Sequence, residues 1–239
     1  MNITIVTLFP AMFEGVFGAS VIGRAVDRGL VTIRVVNLRE FGIGRHRVVD
    51  DTPYGGGGGM VLKPEPIARA LESIPHTGRV ILTTPRGRPF SQNDALRLST
   101  LPHITILCGH YEGVDERVST LFVDEEISIG DYVLTGGELP AMVITDAVVR
   151  LVPGVLGKDT LATGDSHYEG LLEHPQYTRP RRFMGLDVPD VLLAGDHEAI
   201  RRWRREQAVE KTRKTRPDML ESMSDGQKTH KDARDDRGR

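Results

Sequence analysis

Cysteine is nearly absent from this chain: Cys108 is the only one in 239 residues. A single thiol excludes an intrachain disulfide and suits a reducing, cytoplasmic setting. Beside Gly109 it reads as a small core residue rather than a nucleophile. His110, His167 and His174 do not give zinc-ligand spacing with it, so no structural metal is expected. Long apolar runs are missing too. No stretch approaches the roughly 20 residues of a membrane span. The chain enters a short β-like run at residues 3–8 with no basic segment ahead of it, so no signal peptide is expected. Net charge is also small, −2, and does not advertise nucleic-acid binding. What is present is the composition of a globular protein, 39% hydrophobic and 27% charged, long enough for one large domain or two smaller ones.

The charge is unevenly spread. Between Arg179 and Arg216 stand eleven basic residues and six acidic ones, a surplus of five. A local surplus can neutralise phosphates although the whole chain is slightly acidic, and this segment is expected to face RNA rather than to be an ordinary solvated helix.

Residues 2–156 alternate strand-like and helix-like signals. Residues 2–8, 31–37, 79–83, 103–108 and 125–129 read as short buried strands. Helices are expected from a Ser20 cap to Gly29, from Pro64, after Ser91, and over the apolar run 139–152. This pattern predicts an α/β parallel sheet with helices on both faces. Ligands of such sheets sit beyond the carboxyl ends of the strands, where the loops 84–88, 109–114 and 130–137 fall. Residues 157–170 are small and polar and read as a linker. Asp196 is expected to cap a helix from His197 to about Arg213, with Ile200, Trp203 and Gln207 on one side, ended by Arg216-Pro217. The tail 222–239 has few apolar residues and reads as disordered.

The run Ser128-Ile129-Gly130-Asp131-Tyr132-Val133-Leu134-Thr135-Gly136-Gly137-Glu138-Leu139-Pro140 carries the most chemistry. Three glycines in a turn between a strand and an apolar helix allow a ligand to lie against the backbone. The absence of Lys and Arg argues against a bare phosphate. Residues 55–59 are five consecutive glycines after Pro53-Tyr54, without the Lys-Ser/Thr ending of a P-loop. They read as a flexible surface loop. Asp115 and Glu116 are expected to support the next helix.

The 128–140 segment resembles the cofactor loop of the bacterial tRNA (guanine-N1)-methyltransferases of the SPOUT class. Further blocks match in order: Thr7-Leu8-Phe9-Pro10, Val49-Asp50-Asp51-Thr52-Pro53-Tyr54-Gly55-Gly56-Gly57, Cys108-Gly109-His110-Tyr111-Glu112-Gly113-Val114-Asp115-Glu116-Arg117, Pro153-Gly154-Val155-Leu156-Gly157 and Pro175-Gln176-Tyr177-Thr178-Arg179-Pro180. The likeness runs to about Leu220. It implies a SPOUT-type α/β sheet with a trefoil knot in the stretch 84–140, followed by a small helical C-terminal domain. The corresponding division is 1–156 for cofactor and knot, 157–170 for a linker with the catalytic Asp, 171–221 for tRNA binding, and 222–239 for the tail.

The resemblance also implies the chemistry. S-Adenosylmethionine is expected on Thr83, Thr84, Pro85, Arg86, Gly109, Tyr111, Glu112, Ser128, Ile129, Gly130, Asp131, Tyr132, Val133, Leu134, Gly136, Gly137 and Pro140. Asp165 would be the general base that takes the proton from guanine N1, with Asp159 the nearby rival. Arg150 would stabilise charge on guanine O6; read from the residues alone, it complements a helix C-terminus. The substrate implied is guanosine 37 of a tRNA, held by its anticodon stem-loop. The family works as a homodimer with the active site shared between subunits, is described as magnesium-dependent, and places the glycine run 55–59 near RNA and cofactor. Arg86 and Gly58 depart from the usual family residues. Two other classes stand beside this one: a non-catalytic RNA-binding or ribosome-associated protein that keeps the fold, and a Rossmann-type methyltransferase, whose glycine fingerprint near the first strand is missing.

Overall fold

The computed structural model of the chain describes residues 1–75, 78–157, 166–167 and 170–220. These divide into two compact units, residues 1–160 and 161–239. Asp159, Asp165 and the tail 222–239 lie outside the described residues. No described helix is long and apolar enough to cross a membrane.

The first unit is built on strands β1 (Asn2–Thr7), β2 (Thr32–Asn37), β5 (Arg79–Pro89), β6 (His103–Cys108) and β7 (Glu125–Ser128), with a separate small pair, β3 (Asp50–Asp51) and β4 (Val61–Leu62). The five form one parallel sheet in the order β2-β1-β6-β5-β7. The strands read as continuous apolar runs because both faces are covered. Ile3, Ile5, Ile81, Ile104, Ile106 and Ile127 point to one face and are at most 1% exposed. Val6, Leu82 and Leu107 point to the other. Helices α1 (Glu14–Phe17), α2 (Ser20–Asp27), α4 (Gln92–Ser99) and α6 (Glu138–Val149) contribute to the first core, and α3 (Pro64–Glu72) and α5 (Glu116–Phe122) to the second.

Local signals explain most helix ends, with one correction. Gly29 takes φ 68° and closes α2, where its N–H donates to Val26 O at 2.9 Å and the Leu30 N–H to Ala25 O at 3.0 Å. Ser20, however, does not cap this helix. It lies inside α2 at φ 54°, the cap position is Ala19, and no side-chain cap bond forms. A capping serine needs extended backbone, which Ser20 lacks. Ser91 does cap α4, in a reciprocal capping box with Asp94. Asp115 caps α5 by accepting from the Arg117 N–H. α6 stops at Val149 rather than 152, since Leu151 and Val152 turn back to Val148 and Val149.

A charged cluster ties α4 to β5 and β7. Arg88 reaches Asp94 at 2.7 Å and also Glu125, and Arg97 reaches Glu125 at 2.7 Å and Asp94 at 3.3 Å. Burial alone would raise the Asp94 carboxyl; hydrogen bonds from Arg88 and Ser91 outweigh it and hold it well below the usual range. Glu125 is half-buried, which would raise it, but Arg97 and Arg88 bring it down. Both folded values are depressed, so their stabilisation is complete above about pH 5 and is lost as pH falls further. Asp94→Asn is expected to cost about 1–3 kcal/mol near neutrality. Urea unfolding should show the gap from wild type shrinking as pH drops below about 5; a gap that stays constant contradicts the ion-pair account.

The second unit contains a small hairpin, β8 (Arg182–Phe183) with β9 (Leu186–Asp187), a single-turn 3-10 helix at Asp190–Leu192, and α7 (His197–Thr215). Asp196 caps α7, accepting from the Glu198 and Ala199 N–H groups at 3.0 Å each. Ile200, Trp203 and Gln207 are half-buried on one side, while Arg201, Arg202, Arg204 and Arg205 are exposed. Fully buried Thr212 accepts from the Leu172 N–H at 2.9 Å, which pins the chain after the interunit segment to α7.

Candidate active site

Three loops meet at the carboxyl ends of β5, β6 and β7. The first is a bulge inside β5. Both Thr83 and Arg88 pair with Ile127, so residues 84–87 leave the sheet and return to the same level. Gly87 makes the return possible, because a Cβ there would fall 2.4 Å from Ile127 N. The second loop follows Cys108. Tyr111 (φ 59°) and Gly113 (φ 125°) bend it, and it is stitched to β4 by Leu62 N–H to Gly113 O at 2.9 Å and Asp115 N–H to Leu62 O at 3.0 Å. The third loop runs from Gly130 to Gly137. The Gly137 N–H donates to Gly109 O at 2.7 Å, and the Thr83 hydroxyl lies 3.2 Å from Gly137 O.

Gly136 and Gly137 are required for room rather than for left-handed backbone. Gly137 has φ −82°, yet a Cβ on it would stand 2.1 Å from Thr83 Oγ1 and 2.7 Å from Gly109 N. A Cβ on Gly136 would stand 2.4 Å from both Glu138 Oε2 and His110 Nδ1. Under this loop Glu138 is only 2% exposed and accepts from the Thr7 hydroxyl at 2.7 Å. His110 stands between the rings of Phe9 and Tyr111 at 4.9 and 4.7 Å. Its buried Nδ1 has no hydrogen-bond partner among the described residues and lies 3.8 Å from Glu138 Oε2. Burial first, and Glu138 second, push the Cys108 thiol far up, so it stays neutral. That agrees with a core residue.

The three loops wall a cleft of about 360 Å³. Every residue expected at the cofactor lines it except Asp131. The sequence reading missed His110 and Thr135 on its wall and Leu82 and Ile127 at the strand ends. Of these, His110, adjacent to Gly109 in a matching block, and Thr135, inside the run 128–140, offered a signal. The lining holds one carboxylate, Glu112, and one guanidinium, Arg86, which is turned to Glu116 at 3.0 Å. Glu112 packs over Gly59, whose φ is 80° and whose Cβ would collide with it, so the last of the five glycines serves the cleft. Gly55, Gly56, Gly57 and Gly58 meet nothing within 4 Å of where a Cβ would be, in keeping with a surface loop.

Arg150 does not line this cleft. It caps the far end of α6, a helix of 12 residues whose first turn holds the cleft residue Pro140. Twelve residues at helical rise separate the two ends by about 18 Å. No group of three or more His, Cys, Asp and Glu side chains suited to a metal stands among the described residues.

The model of the tRNA (guanine-1)-methyltransferase family, TrmD, matches residues 1–222. The chain belongs to this family. It is 57% identical over 223 residues to the tRNA (guanine-N(1)-)-methyltransferase of Geobacter sulfurreducens, covering 92% of this chain and 91% of that protein. The enzyme of the same name from Dictyoglomus turgidum is 57% identical over 225 residues, 94% of this chain and 91% of its own. That of Staphylococcus aureus strain MRSA252 is 56% identical over 223 residues, 92% and 91%. The chain matches these relatives along nearly their whole length.

Proposed function

We propose that this protein transfers a methyl group from S-adenosylmethionine to N1 of guanosine 37 in tRNA, as a cytoplasmic enzyme. The carrying observation is the cleft at the strand ends, walled by backbone at Gly109, Gly130, Gly136 and Gly137, in a chain of this family. The residues present fit the methyl donor. Side-chain-free positions admit its adenosine against main-chain N–H and C=O groups, and the Glu112 carboxylate suits its positive charge. When bound, it supplies an electrophilic methyl on a positively charged sulfur. The resemblance implies magnesium, but the described residues offer no ligand set for it.

The protein's own groups do the rest. Neutral guanine N1 carries a proton and is a poor nucleophile, so a base must remove it. Asp165 takes that proton. Arg150 holds the charge that moves to O6, a task suited to a fixed guanidinium. The distance along α6 between Arg150 and its own chain's cleft supports a homodimer in which Arg150 and the Asp165 segment serve the partner's cleft. Leu139 and Val143, one turn apart on α6, are 48% and 47% exposed and suit such an interface. The proposal includes the knot in 84–140, with the third loop tucked against Gly109.

In the second unit, Arg179, Arg181, Arg182, Arg201, Arg202, Arg204 and Arg205 would hold the phosphates of the anticodon stem-loop. Affinity for tRNA is therefore expected to fall at least about tenfold as salt rises from about 50 to about 200 mM. A flat response in filter binding would remove this face from RNA recognition. The non-catalytic reading is tested by incubating the protein with S-adenosylmethionine and tRNA: it requires binding without methyl transfer.

A further inference from the structure

The second unit contains a pocket that the methyl-transfer chemistry does not use. It has a volume of about 360 Å³ and lies between the segment 174–181 and α7. Trp203 stands at its wall with His174 and Tyr177, their ring centroids 6.5 and 6.3 Å from the indole. Ile200 and Leu192 add apolar lining. Tyr177 is 47% exposed, so an aromatic surface is open to solvent inside a charged unit.

The charged residues of its lining have one sign. Arg179, Arg181 and Arg204 line the pocket and no carboxylate does. Arg181 is held in place by Asp190 at 3.1 Å. Arg179 and Arg204 have no ion-pair partner among the described residues, so both guanidinium groups are available to an incoming anion. A pocket of this size, with a few polar groups at the edge of aromatic walls, has the build of a small-ligand site. Aromatic faces with flanking cations are what an unstacked nucleobase and its phosphates require.

We propose that this pocket takes one unpaired base of the bound tRNA, stacked against Trp203 and Tyr177, while Arg179 and Arg204 hold the adjoining phosphates. The inference rests on tRNA being the substrate. It adds a second base contact, separate from the guanine that is methylated. Stacking on an aromatic face is tolerant of base identity, so the contact fixes the register of the loop rather than reading its sequence.

Trp203 is the only tryptophan in the chain, so its emission reports on this pocket alone. The full-length protein is titrated with a tRNA carrying guanosine at position 37. Emission should be quenched at saturation, as contact with a base quenches indole. Adenosine monophosphate at high concentration should quench it as well, and ribose 5-phosphate should not. In steady-state methylation, Trp203→Ala should raise KM for tRNA about tenfold, within the span for loss of one stacked base, with kcat within about threefold. Trp203→Phe keeps an aromatic face and should restore most of that KM, which a purely structural loss would not show; it also serves if the alanine variant does not fold. tRNA that binds and is methylated without any change in emission, with KM unaltered in Trp203→Phe and Trp203→Ala, overturns the pocket and leaves the phosphate face standing. Binding that is insensitive to salt as well overturns both. Equal quenching by ribose 5-phosphate shows an anion site only and also overturns the stacked base.

Discussion

Asp165→Asn should lower single-turnover methyl transfer by about 10²–10⁴, the usual range for a general base, while leaving S-adenosylmethionine binding intact. The substitution keeps the size of the side chain and removes its basicity. Guanine N1 holds its proton near neutrality, so without a base the lone pair that must attack the methyl is not exposed. The positive sulfur is already a good leaving group, so deprotonation and alignment are what remain for the protein to supply. Transfer is followed in one turnover on a tRNA with guanosine at position 37, with cofactor affinity measured in parallel. A rate within about threefold of wild type falls far below the general-base range and would remove Asp165 from the role. Loss of cofactor binding along with the rate would point to a loop defect instead.

Gly136→Val should weaken S-adenosylmethionine binding by about tenfold or more. A Cβ at this position meets Glu138 Oε2 and His110 Nδ1 at 2.4 Å. Side-chain tips often move aside, but these two are confined. Glu138 is buried and bonded to Thr7, and His110 is held between two rings. The third loop must therefore shift, at the roughly 1–3 kcal/mol typical of overpacking, and each 1.4 kcal/mol is a factor of ten in affinity. Titration calorimetry gives the affinity, and a thermal melt separates local displacement from unfolding. Unchanged affinity in a folded variant would detach this loop from the cofactor.

The sheet was readable because its strands are buried on both faces and bounded by glycine and proline. Runs such as 103–108 leave few alternatives, and that strand has the expected bounds. The bulge within β5 was not readable. Residues 84–87 depart from the sheet only because β7 supplies the same partner, Ile127, on both sides of them, and such a coincidence belongs to the fold. Gly136 and Gly137 drew attention as glycines with no side chain to keep a ligand off the backbone; the sequence did not show that they also make room for Thr83, His110 and Glu138, which come from three separate segments of the chain. Glu138 carried no reading of its own in the sequence; it opens α6 and only its burial gives it a part in the site. Ser20 failed as a cap because a positive φ cannot be read from its neighbours. The chemical roles of Asp165 and Arg150 came from the family likeness, since neither residue carries a local signal beyond that of a loop acid and a helix-terminal arginine.

The most direct measurement of the central claim is the product itself. The protein is incubated with S-adenosylmethionine and an unmodified tRNA carrying guanosine at position 37, and the nuclease digest is read by mass spectrometry. The account requires 1-methylguanosine at that position, absent without S-adenosylmethionine and absent when position 37 is changed to adenosine. A methyl group on another atom or another nucleotide, or no transfer to a tRNA that the protein binds, would contradict it.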